Sequence, residues 1–149
     1  MKLIFFFIIA FNLLSNNLED KIKGKWISPS KKEIIEIYEK DGKYKAKIIW
    51  LKYPKYKKGT KIDGEDFSDK EKLDTKNPDK SKRDRKIIGL HLSEDLTYDF
   101  KKELWKGNIY NPSNGKKYYA EIKIKNDKLE LRSYISIFYK THIWSKKEL

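Results

Sequence analysis

Trp105-Lys106-Gly107-Asn108-Ile109-Tyr110-Asn111-Pro112-Ser113-Asn114-Gly115-Lys116-Lys117-Tyr118-Tyr119-Ala120 is the stretch whose reading decides the fold. Two aromatic arms flank a tight turn, in which Pro112 fixes φ and Gly115 supplies a positive-φ corner. A hairpin of this kind predicts antiparallel β-structure, with Trp105 to Tyr110 pairing against Lys116 to Lys125. In the second arm Tyr118, Ala120, Ile122 and Ile124 alternate with Tyr119, Glu121 and Lys123. Alternation with period two is the mark of a strand with one buried face.

The same signals recur on both sides. Upstream, Gly24 to Ser28 reads as a first strand and Glu33 to Glu39 as a second. Lys40-Asp41-Gly42-Lys43 then reads as a hairpin turn into Tyr44 to Leu51. In that third strand Tyr44, Ala46, Ile48 and Trp50 share a face, which we assign inward. Downstream, Asn126-Asp127 turns the chain into Leu129 to Tyr134, and Ile135 to Trp144 closes the sheet. Between the halves, Lys52 to Lys86 is dense in Lys and Asp and poor in apolar residues, with a short helix expected near Asp66 to Leu73. Strand signal resumes at Ile87 to Leu92. Leu96, Phe100 and Leu104 follow helical spacing, so Ser93 to Leu104 is read as a helical turn, with a strand resuming at about Glu103. The expected fold is all-β: a small antiparallel up-and-down barrel of about eight or nine strands, with one long loop and one or two short helical turns.

Composition sets the outer bounds. Residues 1–15 carry Lys2, then the apolar run Leu3 to Phe11, then Leu13-Leu14-Ser15. That is the pattern of a secretory signal peptide, and the run is short for a membrane span. The expectation is an exported protein, periplasmic or secreted, with residues 16–149 as one domain. There is no cysteine, so burial and sheet hydrogen bonding must hold the domain without disulfides. The formal net charge is +13, yet all but three of the 35 basic residues are lysine. Phosphate and base readout favours arginine forks, so nucleic acid is not the expected partner. A lysine surface of this kind suits solvation, or docking on an anionic envelope lipid or polymer.

Spaced motifs along the chain resemble the bacterial family known as domain of unknown function 2147. Gly24-Lys25-Trp26 and Ile37-Tyr38-Glu39-Lys40-Asp41-Gly42 match its opening strand and hairpin. Asp74, Asn77-Pro78-Asp79, Arg85 and Gly89-Leu90 match its central element. Lys106 to Pro112, Gly115, Tyr118 and Ala120 match its turn, and Arg132-Ser133-Tyr134 its Arg-Gly-Tyr. The chain departs at Lys106 and Ser133, where the family has glycine. It departs again at the ending Tyr139-Lys140-Thr141-His142-Ile143-Trp144-Ser145-Lys146, where the family has two arginines. The resemblance covers Gly24 to about Lys146. It implies an exported, lipocalin-like barrel to which no activity is assigned.

Within that resemblance Trp26 and Arg132 are expected to pair, the guanidinium covering the indole and closing one end of the barrel. Asp74, Asn77, Asp79 and Arg85 are expected to pin the long loop over the barrel mouth. Tyr44, Trp50, Trp105, Tyr110, Tyr118, Tyr134 and Trp144 are the candidate lining of a pocket for a small apolar or amphipathic ligand, and would equally fill a solid core. No metal or cofactor is expected. Asp74, Asn77 and Asp79 fall short of a calcium set, and two histidines without cysteine make a poor zinc site. No nucleophile elbow, phosphate loop or dinucleotide fingerprint occurs, and the expected protein is not an enzyme. A hydrolase would need Asp74 or Asp79 beside His91 or His142. The sequence carries no signal for an oligomeric state.

Overall fold

The computed structural model describes residues 18–148, and the signal peptide read at residues 1–15 lies outside them. Ten strands follow a single 3-10 turn at Asp20–Ile22. They are β1 (Gly24–Ile27), β2 (Glu33–Lys40), β3 (Lys43–Leu51), β4 (Lys61–Ile62), β5 (Glu65–Asp66), β6 (His91–Asp99), β7 (Leu104–Asn111), β8 (Lys116–Lys125), β9 (Lys128–Ile135) and β10 (Phe138–Lys146). Eight of these close into a barrel in the order β1-β10-β9-β8-β7-β6-β3-β2, every neighbour antiparallel. The up-and-down barrel expected from the hairpin spacing is the observed fold. Closure removes most free edges, so the ladder hydrogen bonds are nearly all made within the sheet.

Short turns set the register. Asp41 and Gly42 both take positive φ, as do Asn126 and Asp127, which matches the twist of the strands they join. Ile35, Ile37, Tyr44, Ala46, Ile48, Leu96, Trp105, Ile122, Leu129 and Trp144 point inward and pack around Trp26 and Ile22. The turn at Asp20–Ile22 plugs one end: Ile22 is buried and its carbonyl accepts from Trp26 Nε1 at 2.8 Å.

The structure departs from the sequence reading at irregular ladders. Ser93–Leu104 holds no helical turn; β6 runs straight through as far as Asp99, and Phe100 lies exposed in the turn after it. Opposite β6, Tyr44 and Ala46 on β3 face Leu96 and Ser93, so three residue steps oppose two. A second shift falls between Ala46 and Lys47. Such bulges break period-two alternation and leave a false helical spacing in the sequence. Asp66–Leu73 is likewise not helical: β4 and β5 form a small hairpin, and the short helical turn falls at Lys80–Lys82. The last strand begins only at Phe138, after a turn with Ser136 in the left-handed region.

Candidate functional site

Most strand pairs of the barrel are zipped along their shared length, but β1 meets β10 at only two positions and β3 meets β6 through bulges. β6 and β7 pair only from Thr97–Lys106 to Asp99–Leu104. At Gly107 their backbones still touch, since a Cβ there would lie 3.3 Å from Leu96 Cα. Beyond that point β6 stays with β3, β7 stays with β8, and the two separate. The long segment between β3 and β6 folds over the gap.

That segment is ordered by its own backbone. Lys72 N–H donates to the Pro54 carbonyl at 2.8 Å, Ile87 N–H to Lys72 at 2.9 Å and Asp74 N–H to Arg85 at 2.9 Å. Tyr56 stacks edge-on against Phe67 at 5.5 Å and its hydroxyl meets the backbone of Leu73. Backbone bonds between Gly89, Leu90 and Ile48 of β3 hold one end of the segment to the barrel, and one carboxylate fastens its middle. Asp74, with no exposed surface, accepts from Tyr110 Oη at 2.5 Å, from Asn77 Nδ2 at 2.8 Å and from Arg85 Nη2 at 2.8 Å. Burial, with the hydrogen bond to the Asp74 carboxylate behind it, pushes the Tyr110 phenol up to about 12. Asp79 is exposed and caps the turn at Lys80–Lys82 through Ser81, while Arg83 Nε donates to the Asn77 carbonyl at 2.7 Å. Gly115 completes the fastening. A Cβ there would fall 1.9 Å from the Lys76 carbonyl oxygen, so no other residue lets the segment lie on the β7–β8 turn.

Between the segment and the parted strands lies a cleft of about 930 Å³. Ile88, Leu90, Leu92 and Tyr110 supply its apolar surface; Ser93, Asn108, Lys117 and Asp95 supply polar groups. Five of the seven charged side chains around it are already paired: Arg85 with Asp74, Lys82 and Asp79 with each other, Lys86 with Glu71 and Glu94 with Lys45.

The expected aromatic lining is divided by the structure. Tyr44, Trp105 and Trp144 are buried in the barrel core, and burial pushes the Tyr44 phenol upward. The indole N–H groups of Trp105 and Trp144 have no hydrogen-bond partner there. Trp50 does not face inward. One step on β2, from Ile34 to Ile35, opposes two on β3, from Trp50 to Ile48, and the resulting bulge turns Trp50 out to 41% exposure. Tyr118 is half-buried and accepts a hydrogen bond from Asn114. Tyr134 sits outside on the wall, its hydroxyl donating to Glu121 at 2.7 Å. Tyr110 alone of the seven lines the cleft. It has the opposite parity to Trp105 on β7 and so meets the segment outside the wall rather than the core.

The Trp26–Arg132 pair does not form. Arg132 shares the outer face with Tyr134 and lies over the Tyr139 ring at 4.3 Å, while Trp26 is covered by Lys146, whose Nζ is 4.6 Å from its centroid. The register pairs Trp26 with Lys146 directly. Lys146 stands where the resembling family ends on arginine, which is the signal that could have found it. The two histidines stay apart from Asp74 and Asp79: His91 bonds Tyr38 Oη at 2.7 Å and faces Glu94, and His142 pairs across the ladder with Leu131. Among the described residues no cluster of His, Cys, Asp and Glu could hold a metal ion. Leu90, Leu92, Ser93, Asn108 and Lys117 escaped the sequence reading because only the splaying of β6 from β7 gathers them.

A family model described as an uncharacterized protein conserved in bacteria, DUF2147, matches residues 24–146, and the chain belongs to that family. Among solved structures it is similar to protein HP1028 from the human pathogen Helicobacter pylori, described as belonging to the lipocalin family. The two are 25% identical, the match covers 85% of this chain and 83% of that one, and the TM-score is 0.65. No curated protein matches the chain.

Proposed function

We propose that this lipocalin-like barrel is a non-enzymatic binding protein, exported through its apolar leader, for a small amphipathic molecule. The observation that carries the reading is the cleft of about 930 Å³ where β6 and β7 part, a size suited to a small molecule. Its apolar part would lie on Leu90, Leu92 and Tyr110, and its polar part would face Ser93, Asn108 and Lys117. The likeness to a lipocalin-family structure supports the class of function. The separation of both histidines from Asp74 and Asp79 supports the absence of a hydrolytic centre. The interior aromatics serve as core in this reading, so the ligand sits beside the packed barrel centre and beneath the fastened segment.

Native mass spectrometry of the protein, isolated from its own cell envelope without detergent, tests the reading. The expected spectrum carries an excess mass that disappears on organic extraction and is missing from the Asn108→Trp variant, whose indole fills the cleft. A clean apo mass, persisting after exposure to total lipid extract, overturns it.

A further inference from the structure

The tip of the β9–β10 hairpin leaves the barrel's ladders. Its ladder with β8 stops at Ala120–Ser133, and β1 reaches only Ser145 and Lys146 on the other side. Tyr134 to Lys140 therefore form an arm that makes no ladder pair with β8 or β1 among the described residues. Its tip is apolar and open to solvent: Ile137 is 84% exposed, Phe138 73%, and Ile135 and Tyr139 more than half. On the outer face Arg132 over Tyr139, and Tyr134 against Tyr119 and Glu121, brace it on the barrel.

The two turns that flank the tip carry charges of one sign, while Asp79 of the segment lying on the β7–β8 turn is paired with Lys82. The neighbouring turns on the rim are Ser28-Pro29-Ser30-Lys31-Lys32 between β1 and β2, and Asn111 to Lys117 between β7 and β8. With Lys140 of the arm they present Lys31, Lys32, Lys116 and Lys117, all exposed, and no acidic residue. An exposed apolar tip flanked by lysine-bearing turns is complementary to a surface that is anionic outside and apolar beneath.

We propose that this arm docks the protein on an anionic lipid bilayer, with Ile137 and Phe138 entering the headgroup–acyl boundary and the five lysines lying on the headgroups. The arm's exposed apolar tip suits that boundary, which is roughly 5–10 Å deep. Its unpaired backbone groups require the polar boundary rather than the hydrocarbon centre. A second copy of the chain is the poorer occupant, since pairing two such edges brings like-charged lysine clusters together.

The chain has no cysteine, so a single introduced thiol gives a unique site for an environment-sensitive fluorophore. The fluorophore is placed at Ile137→Cys, and in a second protein at Lys101→Cys on the opposite end, both in the full chain. The apolar stretch Leu3–Leu14 is common to both and cancels. With vesicles of phosphatidylcholine and phosphatidylglycerol at 7:3, the expected result is a blue shift at position 137 and none at 101. The shift is absent with pure phosphatidylcholine. Adding Lys116→Ser and Lys117→Ser moves the lipid midpoint about tenfold higher. No shift at 137, an equal shift at 101, or a shift that grows with protein concentration before lipid is added overturns the proposal; the last reassigns the arm to self-association.

Discussion

The two ends of this barrel are built from the same strands and solve opposite problems. At one end the turns Asp41–Gly42 and Asn126–Asp127 are tight, and a 3-10 turn inserts Ile22 beneath Trp26. Lys146 spans the edge, donating to the Lys23 carbonyl at 2.9 Å while covering the Trp26 ring. Each turn there includes an acid: Glu19 and Asp20, Asp41, Glu103 or Asp127. At the other end the strands run out of partners, and the apolar residues Trp50, Tyr53, Ile88, Ile137 and Phe138 stay in solvent. One end holds the structure together, and the other holds the cleft and the arm. Stability and the surfaces available for binding are thus separated along the barrel axis.

Removing Trp26 should break the closed end most severely. Trp26→Ala empties the core beneath the plug and is expected to cost about 3–5 kcal/mol of unfolding free energy, read from the urea midpoint. Next comes the fastening at the other end. Asp74→Ala strands three donors, from Tyr110, Asn77 and Arg85, and is expected to cost about 2–3 kcal/mol, the half-exposed Arg85 moderating the loss. Limited proteolysis of that variant should cut first within residues 52–90, whereas Trp26→Ala should expose the whole chain at once.

A smaller effect is set by pH in the wall between the ends. Burial, and then the charge of Lys140, lowers the His142 pKa below its ordinary value, so the folded state disfavours the charged imidazole. The unfolded chain takes up this proton below about pH 6.5. Stability is therefore lost as the pH falls from that value toward the folded pKa, and is unaffected above it. His142→Gln should flatten that part of the stability profile in pH-dependent urea melts. The smallest effect belongs to the arm: Ile137→Ser with Phe138→Ser should leave the urea midpoint unchanged to within about 0.5 kcal/mol, since neither side chain packs on the core. A large loss there would show that the arm supports the barrel and would erase the contrast between the ends.

Most of the barrel was legible wherever one residue in two faces the core. Trp105 to Ala120 announced its hairpin because the aromatic arms alternate and Pro112 and Gly115 have only one turn they can serve. The acidic and amide residues at 74, 77 and 79 were visible as a cluster. A pinning role with Arg85 was expected for them; the part of Tyr110 was not, because it reaches Asp74 from 36 residues away. Trp50 was misplaced and β6 misread for one reason: a bulge adds a residue, and a pattern read two by two then reports the wrong face.

By itself the sequence determined the eight-stranded barrel, the turns at Asp41–Gly42, Asn111–Gly115 and Asn126–Asp127, the family and the cationic composition, since each follows from local periodicity, turn chemistry or composition. Only the tertiary structure decided which aromatic faces the core, that Lys146 rather than Arg132 covers Trp26, and that β6 leaves β7 beyond Gly107. Those outcomes depend on register and on where a ladder ends. Both are set by the closure of eight strands around one core, a constraint that no window of the chain contains.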